Sequence, residues 1–219
     1  MMPDLEAFLR FKSEKGASHT WDALFWFCLP LGLLISLMFH QVVKNPLLHN
    51  LPLFLKSRFI KYAGIDWLSY FKNNVGVVLI SFLIGGASHL VWDSFTHYNG
   101  VLLQLNPDWD RNTTLFGYSI EIVYVIQYAN TLLGLLIVLF AIWQLPKEKT
   151  TQAPGNWLPY WLLVLLIAGL IFTIRWFLMD SFKIDDLIVS GLMAMVIGIG
   201  TASLFYYKKY RQPDSSQKD

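Results

Sequence analysis

Five stretches of this 219-residue sequence, near 21–43, 75–98, 118–145, 157–178 and 186–207, are nearly unbroken runs of apolar residues. A run of about twenty apolar residues, wound as a helix, covers the roughly 30 Å of hydrocarbon in a bilayer. The sequence therefore predicts an all-α, multi-pass transmembrane helical bundle of five spans. Hydrophobic residues make up 55% of the chain and aromatics 16%, and the mean hydropathy is +0.45, a balance outside that of soluble globular domains. A single integral-membrane domain over 1–207 is expected, followed by a polar cytoplasmic tail at 208–219.

The segments between the runs refine this picture. Residues 1–20 are polar, carry Asp4, Glu6, Arg10, Lys12, Glu14, Lys15 and His19, and read as a pre-membrane segment without the pattern of a signal peptide. Pro30 is expected to kink the first span, and Trp21 and Trp26 suit its interfacial end. Residues 44–73 interleave Lys44, Lys56, Arg58, Lys61 and Lys72 with aromatic and aliphatic residues, which predicts an amphipathic helix lying on the membrane surface. Residues 99–117 are rich in turn formers. In the last run Gly191, Gly198 and Gly200 predict close helix packing.

Charge sets the orientation and excludes one class of partner. A net charge of +2, spread between apolar runs, speaks against a nucleic-acid partner. The single cysteine, Cys28, allows neither an internal disulfide nor a multi-cysteine zinc motif. With five spans, the segments 44–73, 146–156 and 208–219 share one side and hold eleven lysines and arginines, against five on the other side. Positive residues favour the cytoplasm, so the N-terminus is expected outside and the C-terminus inside.

Within the second run, His89, Asp93 and His97 recur every fourth residue and so share one slowly drifting helix face. Two imidazoles and a carboxylate on one face outline a divalent-metal site, with zinc first and manganese as an alternative. The competing reading is a metal-free hydrogen-bonded cluster between helices. His19 is the best further ligand, and Asp4 and Glu6 read equally well as site carboxylates or surface groups. The predicted topology gathers His19, Asp22, His89, Asp93, His97, Glu121, Arg175, Asp180, Asp185 and Asp186 into one outer layer, which implies a polar pocket. There Glu121 could act as a general acid or base or simply pair with Arg175, while Arg175 could bind an anionic substrate or snorkel to the interface. His40 and His49 read as ordinary residues at the opposite, cytoplasmic end.

The pieces Pro3-Asp4-Leu5-Glu6-Ala7-Phe8-Leu9, Ser18-His19-Thr20, Phe27-Cys28-Leu29-Pro30-Leu31-Gly32-Leu33-Leu34 and, above all, Gly86-Ala87-Ser88-His89-Leu90-Val91-Trp92-Asp93-Ser94-Phe95-Thr96-His97 resemble the DUF4184 family of bacterial membrane proteins. That family is similar to the wider group called YdjM-like membrane-bound metal-dependent hydrolases, and 127–134 also resembles its third-span pattern. The resemblance implies a bacterial cytoplasmic membrane. Family members typically carry a hydrophobic segment with a Ser-His-Pro motif ahead of the Pro-Asp element, whereas this sequence opens at Met1-Met2-Pro3-Asp4, so one family histidine is absent from it.

Residues and resemblance together predict a divalent-metal-dependent hydrolase at the outer membrane face. His89, Asp93 and His97, joined by His19 and Asp4, would hold the ion; Asp93 or Glu121 would move the proton, and Arg175 would steady negative charge. Membrane lipids are the expected partners, and an ester or phosphoester, lipid-linked by its location, the expected substrate. A structural or partner-binding membrane protein is the main alternative, and a transporter is disfavoured because the inner halves of the spans hold almost no ionisable residue.

Overall fold

The computed structural model describes residues 2–13, 16–96, 105, 112–115, 117–148, 157–179 and 183–211. Five of its helices are long and apolar enough to cross a membrane: Leu24–His49, Val75–Phe95, Ile122–Gln144, Leu158–Phe177 and Ile184–Tyr210. In chain order the helices are α1 (Leu5–Arg10), α2 (Leu24–His49), α3 (Leu53–Phe59), α4 (Trp67–Asn73), α5 (Val75–Thr96), α6 (Ile122–Gln144), α7 (Leu158–Phe177) and α8 (Ile184–Arg211).

Several boundaries differ from those expected. The first long helix covers 24–49, not 21–43, because its hydrogen-bond ladder widens instead of breaking. It opens with a π-helical turn, Leu24–Cys28, just ahead of Pro30. Proline has no N–H to contribute, and a preceding change of register is one way for a helix to absorb that loss. A second π turn, Phe39–Val43, carries the helix on to His49. The surface helix predicted over 44–73 is instead the end of α2 followed by α3, a 3-10 turn at Ile60–Tyr62, and α4. Pro52 and Gly64 punctuate this region, and Asp66 caps α4 by accepting from the Ser69 amide at 3.1 Å. Arg58 does not reach for a membrane surface: it is 1% exposed and donates to the carbonyls of Phe54 and Trp143. The latter bond tethers α3 to the end of α6, where unpaired carbonyls attract a cation.

The expected third span, 118–145, starts later. Residues 118–121 form a strand, β2 (Tyr118–Glu121), paired antiparallel with β1 (Asn112–Leu115). Gly117, with φ of 85°, sits in the connecting turn, where a left-handed backbone favours glycine. The tail also begins later than expected, since α8 continues to Arg211.

Packing is uneven. Helices α7 and α8 meet along Tyr160, Val164, Ala168, Ala194 and Ala202, all buried. A β-carbon at Gly198 would fall 2.7 Å from the Val164 carbonyl oxygen, whereas one at Gly200 would meet nothing. Of the glycines in this run, Gly198 is therefore the one that sets the helix spacing. Tyr160 shares a 3.0 Å hydrogen bond with Ser203 inside this seam. By contrast, the apolar side chains of α6 within 132–140 are more than half exposed on every face, a profile compatible with surrounding lipid. Near the start of α2 a smaller core of Leu24, Cys28 and Leu90 joins α2 to α5, with Met2, Phe27, Leu83 and Ala87 around it.

Candidate metal centre

The centre is built by two pieces of chain that are distant in sequence. Helix α5 supplies His89 and Asp93, one turn apart, and the N-terminal segment supplies Asp4 and His19. Each of the four offers one ligand atom, and these atoms all lie within 4.8 Å of one another. His19 Nε2 is 3.3 Å from Asp4 Oδ1 and 3.6 Å from Asp93 Oδ2. His89 Nε2 is 3.2 Å from Asp4 Oδ2 and 3.7 Å from Asp93 Oδ2. The two imidazole rings stand 6.0 Å apart at 55°.

The N-terminal segment is held in place by bonds that the sequence pattern does not announce. Helix α1 ends at Phe11, which adopts a left-handed backbone, φ 53°, an unusual conformation for an aromatic residue. The Phe11 carbonyl accepts from Arg175 Nη2 at 3.2 Å. Asp186 accepts from both the amide and the hydroxyl of Ser13, each at 2.7 Å. The chain then returns through Gly16, where a β-carbon would run into the Glu6 carboxylate. Glu6 Oε2 accepts from the Ser18 amide at 2.8 Å, and the buried Ser18 hydroxyl donates to the Pro3 carbonyl at 2.7 Å. The loop bearing His19 is thereby laced to the turn bearing Asp4. Burial would push the Asp4 carboxyl up, but the His19 and His89 imidazoles beside it outweigh that and hold the group well below the usual carboxylate range.

These side chains fit a divalent cation. Ligands placed about 2.0–2.1 Å from a zinc ion in a tetrahedron stand about 3.3 Å apart, close to the 3.2–3.7 Å separations between the imidazole nitrogens and carboxylate oxygens. His89 Nε2 is buried and, although near both carboxylates, makes no hydrogen bond of good geometry among the described residues. A coordinate bond would satisfy it. Two imidazoles and two carboxylates suit zinc or manganese better than a soft, thiolate-seeking ion.

Beside the centre lies a cavity of about 380 Å³, lined by Asp4 and His19, by Tyr124 and Gln127 of α6, and by Asp185 at the start of α8. Of the residues predicted for the site, Asp4, His19, His89 and Asp93 come together here. His97 and Asp180 lie outside the described residues. Glu121 is not among the four ligands; it caps the start of α6 in extended backbone, and its buried Oε2 has no hydrogen-bond partner among the described residues. The expected pairing of Glu121 with Arg175 is not what is seen: Arg175 donates to the Phe11 and Leu178 carbonyls. Glu6 supports the His19 loop and is not one of the four clustered ligands.

Compared with known proteins, residues 1–206 match the family model described as Domain of unknown function (DUF4184). No curated protein and no solved structure matches the chain.

Proposed function

Because this chain belongs to the DUF4184 family over nearly its whole length, we propose that it is a membrane-embedded, divalent-metal-dependent hydrolase of a lipid-linked ester or phosphoester, with Asp4, His19, His89 and Asp93 as ligands. The observation that carries this reading is the convergence of those four ligand atoms within 4.8 Å. When bound, a zinc-like ion supplies Lewis acidity, polarising an ester or phosphoryl oxygen and acidifying a water. The chain's own contribution is a neighbouring cavity in which the Tyr124 and Gln127 side chains can orient a substrate. Asp93 is better placed than Glu121 to take up a proton, and Arg175 acts as a positioning residue through Phe11 rather than by touching substrate.

The distribution of lysine and arginine supports the centre facing outside and the ends of α2 and α8 facing the cytoplasm. A metal-free clamp is favoured by a single feature, the 3.2 Å contact between His89 of α5 and Asp4, which would by itself pin the N-terminal segment to α5.

Metal analysis and hydrolysis assays of the purified full-length chain separate these readings. About one zinc or manganese per chain, lost in a His19→Ala/His89→Ala double variant together with metal-dependent release of product from lipid phosphoesters, is the expected result. Metal-free protein whose thermal midpoint is unmoved by zinc would establish the clamp. Stoichiometric metal without product release from any ester or phosphoester would remove the hydrolase assignment.

A further inference from the structure

At the other end of α2 lies a second cavity, of about 590 Å³, formed by the last turns of α2, the turn into α4 and the end of α8. About sixteen residues of helix separate Cys28 from Lys44, so this cavity stands roughly 24 Å along α2 from Cys28, whose thiol meets the Ser18 carbonyl next to His19. We propose that it binds a phosphate ester carrying its own hydrogen-bond donor, in the form of a phosphatidylethanolamine headgroup.

Lys44 is the main reason. It lines the cavity and is 5% exposed, a degree of burial rare for lysine without a counter-charge. Its ammonium donates to the Ile65 carbonyl, and no carboxylate among the described residues forms an ion pair with it. Asp66 also lines the cavity and its charge is felt by Lys44, but its side chain is exposed, makes no ion pair with the ammonium and is occupied in capping α4. A phosphate oxygen would supply a negative charge in direct contact with the ammonium.

Two further lining residues hold unused hydrogen-bonding capacity. His40 Nδ1 and Asn45 Oδ1 are buried without a hydrogen-bond partner among the described residues. The His40 ring is held flat against Trp67, with centroids 5.1 Å apart and planes 7° apart, so its nitrogens have a fixed direction. Asn45 Oδ1 is an acceptor and calls for a donor, which an ethanolamine ammonium supplies and a choline headgroup does not. The π turn at Phe39–Val43 contributes as well: the Lys44 amide bonds five residues back to Phe39, and the extra residue re-aims the side chains that follow. Such turns recur at functional sites.

The setting favours a lipid over a free ester. The cavity lies at the ends of two candidate spans and is rimmed by Trp67, Tyr207 and Tyr210, amphipathic aromatics of the kind that gather at headgroup depth. Its volume is within the range of small-ligand sites. No part of the proposal depends on a metal at the opposite end.

The test is native mass spectrometry of the full chain, exchanged into detergent containing phosphatidylethanolamine, phosphatidylcholine or both. One phosphatidylethanolamine should be retained, preferred about tenfold over phosphatidylcholine, and Lys44→Met should reduce retention about tenfold, the effect of losing one charge-assisted hydrogen bond. Asn45→Leu should abolish the preference between the two lipids while phosphate-dependent binding persists. Lys44→Arg, which keeps the charge, should retain lipid and so separates lost binding from lost folding. Equal retention of the two lipids by the unaltered chain, or retention indifferent to Lys44→Met, would overturn the proposal. Displacement of the lipid by millimolar free phosphoethanolamine would overturn the lipid as occupant, and its failure supports it.

Discussion

The candidate metal centre, beside the first turns of α2, and the cavity at the far end of that helix have opposite chemistry. Near Cys28 the chain gathers two carboxylates and two imidazoles whose ligand atoms all lie within 4.8 Å of one another. Near Lys44 it buries an ammonium that no carboxylate among the described residues contacts as an ion pair. In an apolar bundle, neither arrangement is economical without an occupant, because ionic groups removed from water are stable only when paired. The difference in donor set suits a cation at one end and the phosphate of a zwitterionic headgroup at the other. The supports differ too. The first cavity depends on a folded-back N-terminal segment held by Arg175, Asp186 and Glu6, the second on a π turn and on stacking against Trp67.

If the ends are independent, damage to one should spare the other. The largest effect expected is from Asp4→Ala combined with His89→Ala: metal affinity falls by at least about a hundredfold, since each lost ligand forfeits a charge-assisted bond, while lipid retention is unchanged. Competition titration with a zinc chelator reads the first quantity and native mass spectrometry the second. Gly198→Leu should lower stability by about 1–3 kcal/mol, as overpacked helix contacts do, because a side chain there meets the Val164 carbonyl. Thermal unfolding in detergent would measure this, and Gly200→Leu, facing open space, should leave the midpoint within error. Lys44→Met is expected to weaken lipid retention about tenfold and to leave metal stoichiometry at one. The smallest effect is that of Arg175→Met. It releases the Phe11 carbonyl without touching a ligand, so metal affinity should drop by only about threefold to tenfold, in keeping with the loss of one supporting hydrogen bond. A drop as large as that of the ligand variants would place Arg175 in the centre itself.

Much of this was legible in the sequence, for identifiable reasons. The five long helices follow from uninterrupted apolar runs, and His89 with Asp93 from a spacing of one helical turn. His19 and Asp4 could be named as candidates but not placed, because their approach to α5 depends on a left-handed turn at Phe11 and on partners some 160 residues away. The β1–β2 hairpin was hidden because 118–121 leads without a break into the apolar run that follows, and only Gly117 signals the turn. Arg58 was read as a surface cation, yet its hydrogen bond to the Trp143 carbonyl spans 85 residues and no local pattern reports it. The same is true of His40, Lys44 and Asn45. His40 reads as an ordinary interface residue and Lys44 as one cation of a surface helix, and Asn45 carries no signal at all, until the turn at 63–67 and the end of α8 close over them.

The central claim, that Asp4, His19, His89 and Asp93 share one cation, is tested most directly by X-ray absorption at the zinc edge on zinc-loaded protein. The expected spectrum shows one ion per chain with imidazole nitrogen and carboxylate oxygen at about 2.0–2.1 Å, and the imidazole scattering is lost in the His19→Ala/His89→Ala variant. Failure to load stoichiometric zinc, or a spectrum unchanged by that double substitution, would contradict it.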